Sequence, residues 1–234
     1  MAVRNNQLRR RVIIGATCFA DADTAISMAA NLAKIVEAEI LGLLVEDESI
    51  LTYADLPFAK TLTYQRGAVQ PVTRKAMDSA FQRDARTFER RLASAADQTE
   101  VNWSFEHKRG QMMSLIQSEA SAGDFIFLGY QQTGIARGEI VFIDFIGNDD
   151  ALHLLDLSKI IANEMKLGLQ TINLTNNEKL DQETGVLDYL RKTSPAAVIV
   201  AIDNQHNLDL LDILETARCP VILYKQDGPD LSET

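Results

Sequence analysis

Cysteine is nearly absent. Cys18 and Cys219 are the only two in 234 residues, too few for a disulfide framework or a Cys-rich zinc site. Both sit beside apolar runs that read as strands, so they read as buried free thiols. Long apolar runs are absent too. None approaches the roughly 20 residues that a helix needs to span a bilayer, and the leading "MAVRNNQLRRRVIIG" is basic without an apolar stretch that ends at a small-residue cleavage site. The chain therefore reads as cytoplasmic. Histidine is sparse as well: His107, His153 and His206 lie in separate segments, none with a second ligand at metal spacing. With no G-x-S-x-G, H-E-x-x-H or C-x-x-C, neither nucleophilic catalysis nor zinc chemistry has a candidate.

What is present is an ordinary globular composition, 46% hydrophobic and 24% charged. The net charge of −10 is unevenly spread. Residues 1–138 hold 16 Lys or Arg and 16 Asp or Glu, whereas residues 139–234 hold 7 and 17. This shift marks a boundary between two units, 1–138 and 139–234, the second shortened. An acidic second unit argues against broad nucleic-acid binding, which calls for a basic surface. Arg9 to Arg11 read as a solvated lead-in to the first strand.

Short β-rich runs alternate with helical patterns. "RVIIGAT" reads as a buried strand, followed by a helix with Ala25, Met28, Ala29, Leu32, Ile35 and Val36 on one face, then the strand "EILGLLVED". A long helix from about Thr73 to Ala96 has Met77, Phe81, Phe88, Leu92 and Ala95 as its inner stripe. Its arginines, Arg74, Arg83, Arg86, Arg90 and Arg91, fall on the wet side. "VNWSFEH", "GQMMSLIQSEASAG" and "DFIFLGY" complete a βαβαβαβ order. Such alternation predicts a doubly wound parallel sheet with helices on both faces. The second unit repeats the opening: a shift of 126 residues sets Ala25 on Ala151, Met28 on Leu154 and one "LGL" on another. Asp149 and Asp150 read as the N-cap and first-turn acids of its first helix.

In an open doubly wound sheet, ligands bind beyond the C-terminal strand ends where strand order reverses. That rim comprises Ala16 and Thr17 after the first strand, Val45 and Glu46 after the second, and the loop holding Gly129, Gln132 and Gly134 after the fourth. An adenine nucleotide would sit there on backbone N–H groups. The spacing from Gly129 to Gly134 matches the first half of a P-loop, but Ile135 and Ala136 follow where Lys and Ser or Thr are needed. Gly134 and Gly138 read as chain-turning residues. One connection is long and apolar: residues 49–72 carry Leu51, Tyr53, Leu56, Phe58, Leu62 and Tyr64, and read as packing over the sheet edge or the cleft, the alternative being a partner-binding surface.

"RVIIGATCFADADTAISMAANLAKIVEAEILGLLVED", the long helix, "KRGQMMSLIQSEASAGDFIFLG" and the closing "ARCPVILYK" together resemble a universal stress protein in tandem, two-unit form. The resemblance implies an adenine-nucleotide-hydrolase-like sheet of order 3-2-1-4-5 and tandem or dimeric association. It also implies ATP or AMP binding where an acid ends the first strand and G-x-x-G, about nine residues, then Gly-Ser or Gly-Thr follow the fourth. Here Thr17 replaces the acid, Gln132 replaces the second glycine, and Glu139 follows Gly138. The expectation is a non-catalytic regulatory or adaptor protein of the stress response with a degenerate nucleotide site and no cofactor. The alternative is an ATP/AMP-binding sensor. A protein partner or homodimer is expected, because the first unit's sheet ends early and leaves an edge open, though pairing within the chain would satisfy that edge equally well.

Overall fold

A computed structural model describes residues 10–47, 52, 60–63, 68–71, 73–130, 138–145, 147–174, 179–201 and 210–224. The first half runs β1 (Arg11–Ala16), α1 (Phe19–Ile35), β2 (Glu39–Asp47), β3 (Lys60–Thr63), β4 (Ala68–Pro71), α2 (Arg74–Thr99), β5 (Trp103–Gly110), α3 (Met112–Glu119) and β6 (Phe125–Leu128). The second runs β7 (Ile140–Asp144), α4 (Asp149–Glu164), β8 (Leu169–Asn173), α5 (Lys179–Thr193), β9 (Ala197–Ala201), α6 (Leu210–Ala217) and β10 (Val221–Tyr224). The expected alternation of strand and helix is present except at β2-β3-β4 and at β6-β7, where strand follows strand among the described residues. Within the long connection, β3 and β4 pair antiparallel as a separate two-stranded sheet; the rest of residues 49–72, apart from residue 52, lies outside the described residues.

Eight strands form one mostly parallel sheet in the order β5-β2-β1-β6-β10-β9-β7-β8. The first half supplies four neighbours in the expected 3-2-1-4 arrangement, and the second half supplies the fifth. β10 pairs antiparallel with β6, Val221 opposite Leu128 and Tyr224 opposite Phe125, while running parallel to β9. The edge that the first half leaves open is thus closed by the same chain. Because β6–β10 is the antiparallel junction, the strands of the two halves run in opposite senses. Their C-terminal rims therefore lie at opposite ends of the sheet.

The buried strand runs need cover on both faces. Val12, Ile14, Ile40, Leu44, Phe127, Phe142 and Ile199 form one core with α1, α2 and α4. Ile13, Leu43, Ile126, Leu128, Ile143, Val200 and Leu223 form the other, with residues of α3, α5 and α6. Phe81, Phe88 and Leu92 of α2 are buried, and the Phe88 ring meets Phe105 of β5 edge-on at 5.3 Å. Its five arginines are exposed as expected.

α1 and α4 correspond at an offset of 129 residues rather than the expected 126. Glu37 and Lys166, 129 residues apart, are the left-handed residues that end α1 and α4. Each is flanked by equivalent bonds: Val36 N to Leu32 O and Ala38 N to Ala33 O in one, Met165 N to Ile161 O and Leu167 N to Ala162 O in the other. The buried pairs Ala22/Ala151, Ala25/Leu154, Leu32/Ile161 and Ala33/Ala162 obey the same offset. The two "LGL" tripeptides do not coincide. In the first half that tripeptide lies inside β2, whereas in the second only Leu169 belongs to β8.

Two local expectations change. Arg11 is not a solvated lead-in: its Nε and Nη2 reach Asp124 Oδ2 at 3.2 and 2.9 Å, and its backbone N donates to Oδ1 at 2.8 Å. Asp124 is 1% exposed, so this clamp ties the starts of β1 and β6 together. The cap of α4 is Asn148, whose Oδ1 accepts from Ala151 N, with Asp149 and Asp150 in the first turn.

Candidate functional site

The first half's rim is built where β1, β2, β5 and β6 end. β1 delivers Ala16, buried, and Thr17, whose hydroxyl donates to Asp21 Oδ2 at 3.0 Å. The acid expected at this point thus comes from one helical turn later. Cys18, in extended backbone, precedes α1 without capping it through its side chain. The capping role falls to α2, whose Asp84 Oδ2 accepts the Phe19 N–H at 3.1 Å. Burial first, then the hydrogen bond and charge of Asp21, push the Cys18 thiol up to about 11.

Asp84 stands level with the start of α1. The ten residues before it, Arg74 to Arg83, carry α2 about 15 Å further, past the rim. Within that stretch Asp78 lies 3.9 Å from Arg109 Nη2.

β2 delivers Val45, fully buried, and Glu46, 6% exposed. Glu46 lies in register with Arg109 on β5. Arg109 Nε and Nη2 donate to Glu46 Oε2 at 3.0 and 2.7 Å. His107 Nε2 approaches Oε1 to 2.9 Å, off the axis of a hydrogen bond. A carboxylate this buried needs a charge partner, and the parallel register supplies one because residues 107 and 109 share the face of Glu46.

β6 ends at Gly129, whose N–H donates to Gly15 O at 2.9 Å and so extends the β1–β6 ladder. A Cβ at Gly129 would stand 2.5 Å from Asp21 O and 2.8 Å from Asp21 C. The glycine is required because the first turn of α1 lies directly on it. Tyr130 O then accepts from Thr24 Oγ1 at 3.3 Å, a second tie to α1. Gln132 and Gly134 lie outside the described residues. Gly138 has no positive φ. Its role is close approach rather than turning, since a Cβ there would be 2.4 Å from Ser194 O.

Ala16, Thr17, Val45, Glu46 and Gly129 therefore gather at one rim. Sequence reasoning missed the residues that engage them, Asp21, His107 and Arg109, and missed Asp84, which takes up the neighbouring Phe19 N–H. Asp21, one turn after Thr17, carried a readable signal; Asp84 and Arg109 depend on how α2 and β5 dock. Chemically the rim has acids from Asp21, Asp84, Asp78 and Glu46 set against Arg109 and His107. Among the described residues no group of three or more His, Cys, Asp or Glu is arranged to hold a metal ion, and no helix is long and apolar enough to cross a membrane.

No family model matches the chain, and no curated protein matches it. Among solved structures it is similar to a universal stress protein from Archaeoglobus fulgidus DSM 4304, with a TM-score of 0.49 and 8% identity over 93% of this chain and 97% of that one.

Proposed function

We propose that this chain is a non-catalytic, universal-stress-protein-like regulatory or adaptor protein of the stress response, with a degenerate nucleotide site. The observation that carries this reading is the seating of α1's first turn on Gly129, with the Phe19 N–H taken up by Asp84. A helix N-terminus beside a glycine loop attracts phosphate through free N–H groups and its dipole. Here the Phe19 N–H already donates to the Asp84 carboxylate. A phosphate brought to the start of α1 would meet Asp21 and Asp84, and like charges about 4 Å apart repel by about 4 kcal/mol near a protein surface.

The adaptor's docking surface is the open side of the second half. In the first half α2 covers the flank of α1 that carries Asp23, Ile26 and Ala30, with Arg91 Nε 3.2 Å from Asp23 Oδ1. Ile26 and Ala30 are each 1% exposed. At the 129-residue offset the flank of α4 carries Leu152, Leu155 and Lys159, and Leu152 is 58% exposed. Beside it, β8 pairs only with β7 among the described residues. The strand "LQTIN" contains no charge, unlike the opposite edge, β5, with Glu106, Lys108 and Arg109. Uncharged edges add strands readily, so a protein partner, a second copy included, docks here.

The alternative, an ATP/AMP-binding sensor, draws on Arg109, a cation half exposed at the same rim. Denaturing the purified protein and chromatographing the supernatant separates the two readings. The adaptor reading expects no released nucleotide and no phosphate release from added ATP; a stoichiometric amount of ATP or AMP would replace it with the sensor.

A further inference from the structure

A cavity of about 390 Å³ lies where the two halves meet, between the end of α1 and α4, at the opposite end of the sheet from the first half's rim. That volume falls within the range of about 300–1,000 Å³ typical of small-molecule sites, which favour such seams. Phe125 and Tyr224, opposite one another across β6 and β10, form one wall with ring centroids 4.9 Å apart. Val36, Leu157 and Ile160 supply aliphatic surface. Ile160 is 47% exposed, one of two large apolar side chains among the described residues so placed.

The polar groups are few and of unequal availability. Asp156 Oδ1 is 2.8 Å from Lys159 Nζ. That hydrogen bond and charge, with a smaller contribution from His153, hold its carboxyl below the usual range. Arg10, by contrast, is exposed and has no carboxylate partner among the described residues. The cavity thus joins an aromatic and aliphatic interior to a cationic mouth, in a chain whose net charge is −10.

We propose that this cavity binds a small amphipathic acid, with an apolar ring or chain as its body and a single anionic head. The body lies against Phe125, Tyr224 and Ile160, and the head pairs with Arg10. Such a ligand would span both halves and stabilise the β6–β10 junction on which their arrangement depends.

The test uses two fluorescent probes with the same aromatic body. One is 8-anilino-1-naphthalenesulfonate, which is anionic; the other is N-phenyl-1-naphthylamine, which is neutral. The full chain is expected to bind one anion saturably, about five-fold more tightly than the neutral probe, the scale of one exposed charge contact. Arg10→Gln should remove that difference and leave the neutral probe unaffected. Ile160→Glu, on a half-exposed side chain, should abolish both without changing the circular dichroism. Unchanged anion binding in both variants would overturn the proposal. So would binding that emerges only after deletion of residues 225–234, because the cavity would then belong to the chain's own acidic tail.

Discussion

Arg109 and Glu46 face one another across β5 and β2, with guanidinium Nη2 and Nε 2.7 and 3.0 Å from the same carboxylate oxygen. Glu46 is 6% exposed, whereas the Arg109 side chain is 54% exposed, so the two partners are not equally replaceable. Arg109→Ala leaves a buried carboxylate that faces only His107 among the described residues, and is expected to cost about 1–3 kcal/mol, below the range for fully buried pairs. Glu46→Gln should cost less, since the guanidinium regains water. Urea denaturation of both variants checks this; an Arg109→Ala change within about 0.5 kcal/mol of wild type would show that the pair is a surface contact.

Packing of α1 on the rim makes Gly129 sensitive to a single methyl group. Gly129→Ala would place Cβ 2.5 Å from the Asp21 carbonyl, and overpacking against backbone should cost about 1–3 kcal/mol. The control is Gly185, exposed in α5 with nothing within 4 Å of an added Cβ. Gly185→Ala should stabilise by about 0.5–1 kcal/mol through helix propensity. Thermal melts of the two variants should move in opposite directions.

The thiols set a pH dependence on the alkaline side. Burial pushes Cys219 up to about 12, and burial with Asp21 pushes Cys18 up to about 11, from an ordinary 9.0. A thiol whose pKa is higher in the folded than the unfolded state holds its proton more tightly when native. Its contribution is therefore complete below 9.0 and is lost as pH rises toward those values. Between about pH 8 and 10.5 the wild type should lose more stability than Cys219→Ala, measured by urea midpoints, and Ellman's reagent near neutral pH should react with Cys219 only after unfolding. Equal losses in the two proteins would remove the thiol from the explanation.

The docking surface is testable through backbone parity. Leu174 N donates to Asp144 O and Gly168 O accepts from Ile140 N, so even-numbered residues of β8 face β7 and Thr171 faces outward. Thr171→Pro removes an outward donor without touching the β7 ladder. Wild type is expected to show concentration-dependent self-association by sedimentation, and Thr171→Pro or Leu152→Lys to reduce it. A wild type that stays monomeric at every concentration would leave only a different protein as partner.

Much of the fold was readable in the chain because it depends on local pattern. Each buried strand is a short, largely apolar run, and α2 declares itself through Phe81, Phe88 and Leu92 on one face and arginines on the other. Position within the sheet was less readable. Nothing local to "PVILYK" places Val221 beside Leu128 rather than at an outer edge, since strand order follows from how the two cores close. The repeat was visible but misaligned, because an identical "LGL" outweighed the burial pattern that pairs Leu32 with Ile161. At the rim, Thr17, Glu46 and Gly129 were identified from topology alone. Arg109, the partner of Glu46, and Asp84, which takes up the Phe19 N–H beside Thr17, come from elements 63 and 65 residues away, and only docking brings them together.

Calorimetric titration of the full chain with ATP and AMP tests the proposed loss of nucleotide binding at the first half's rim. No saturable heat is expected up to about 1 mM ligand, a ceiling of about −4 kcal/mol on binding. One-to-one binding at micromolar affinity, weakened by Arg109→Ala, would contradict it.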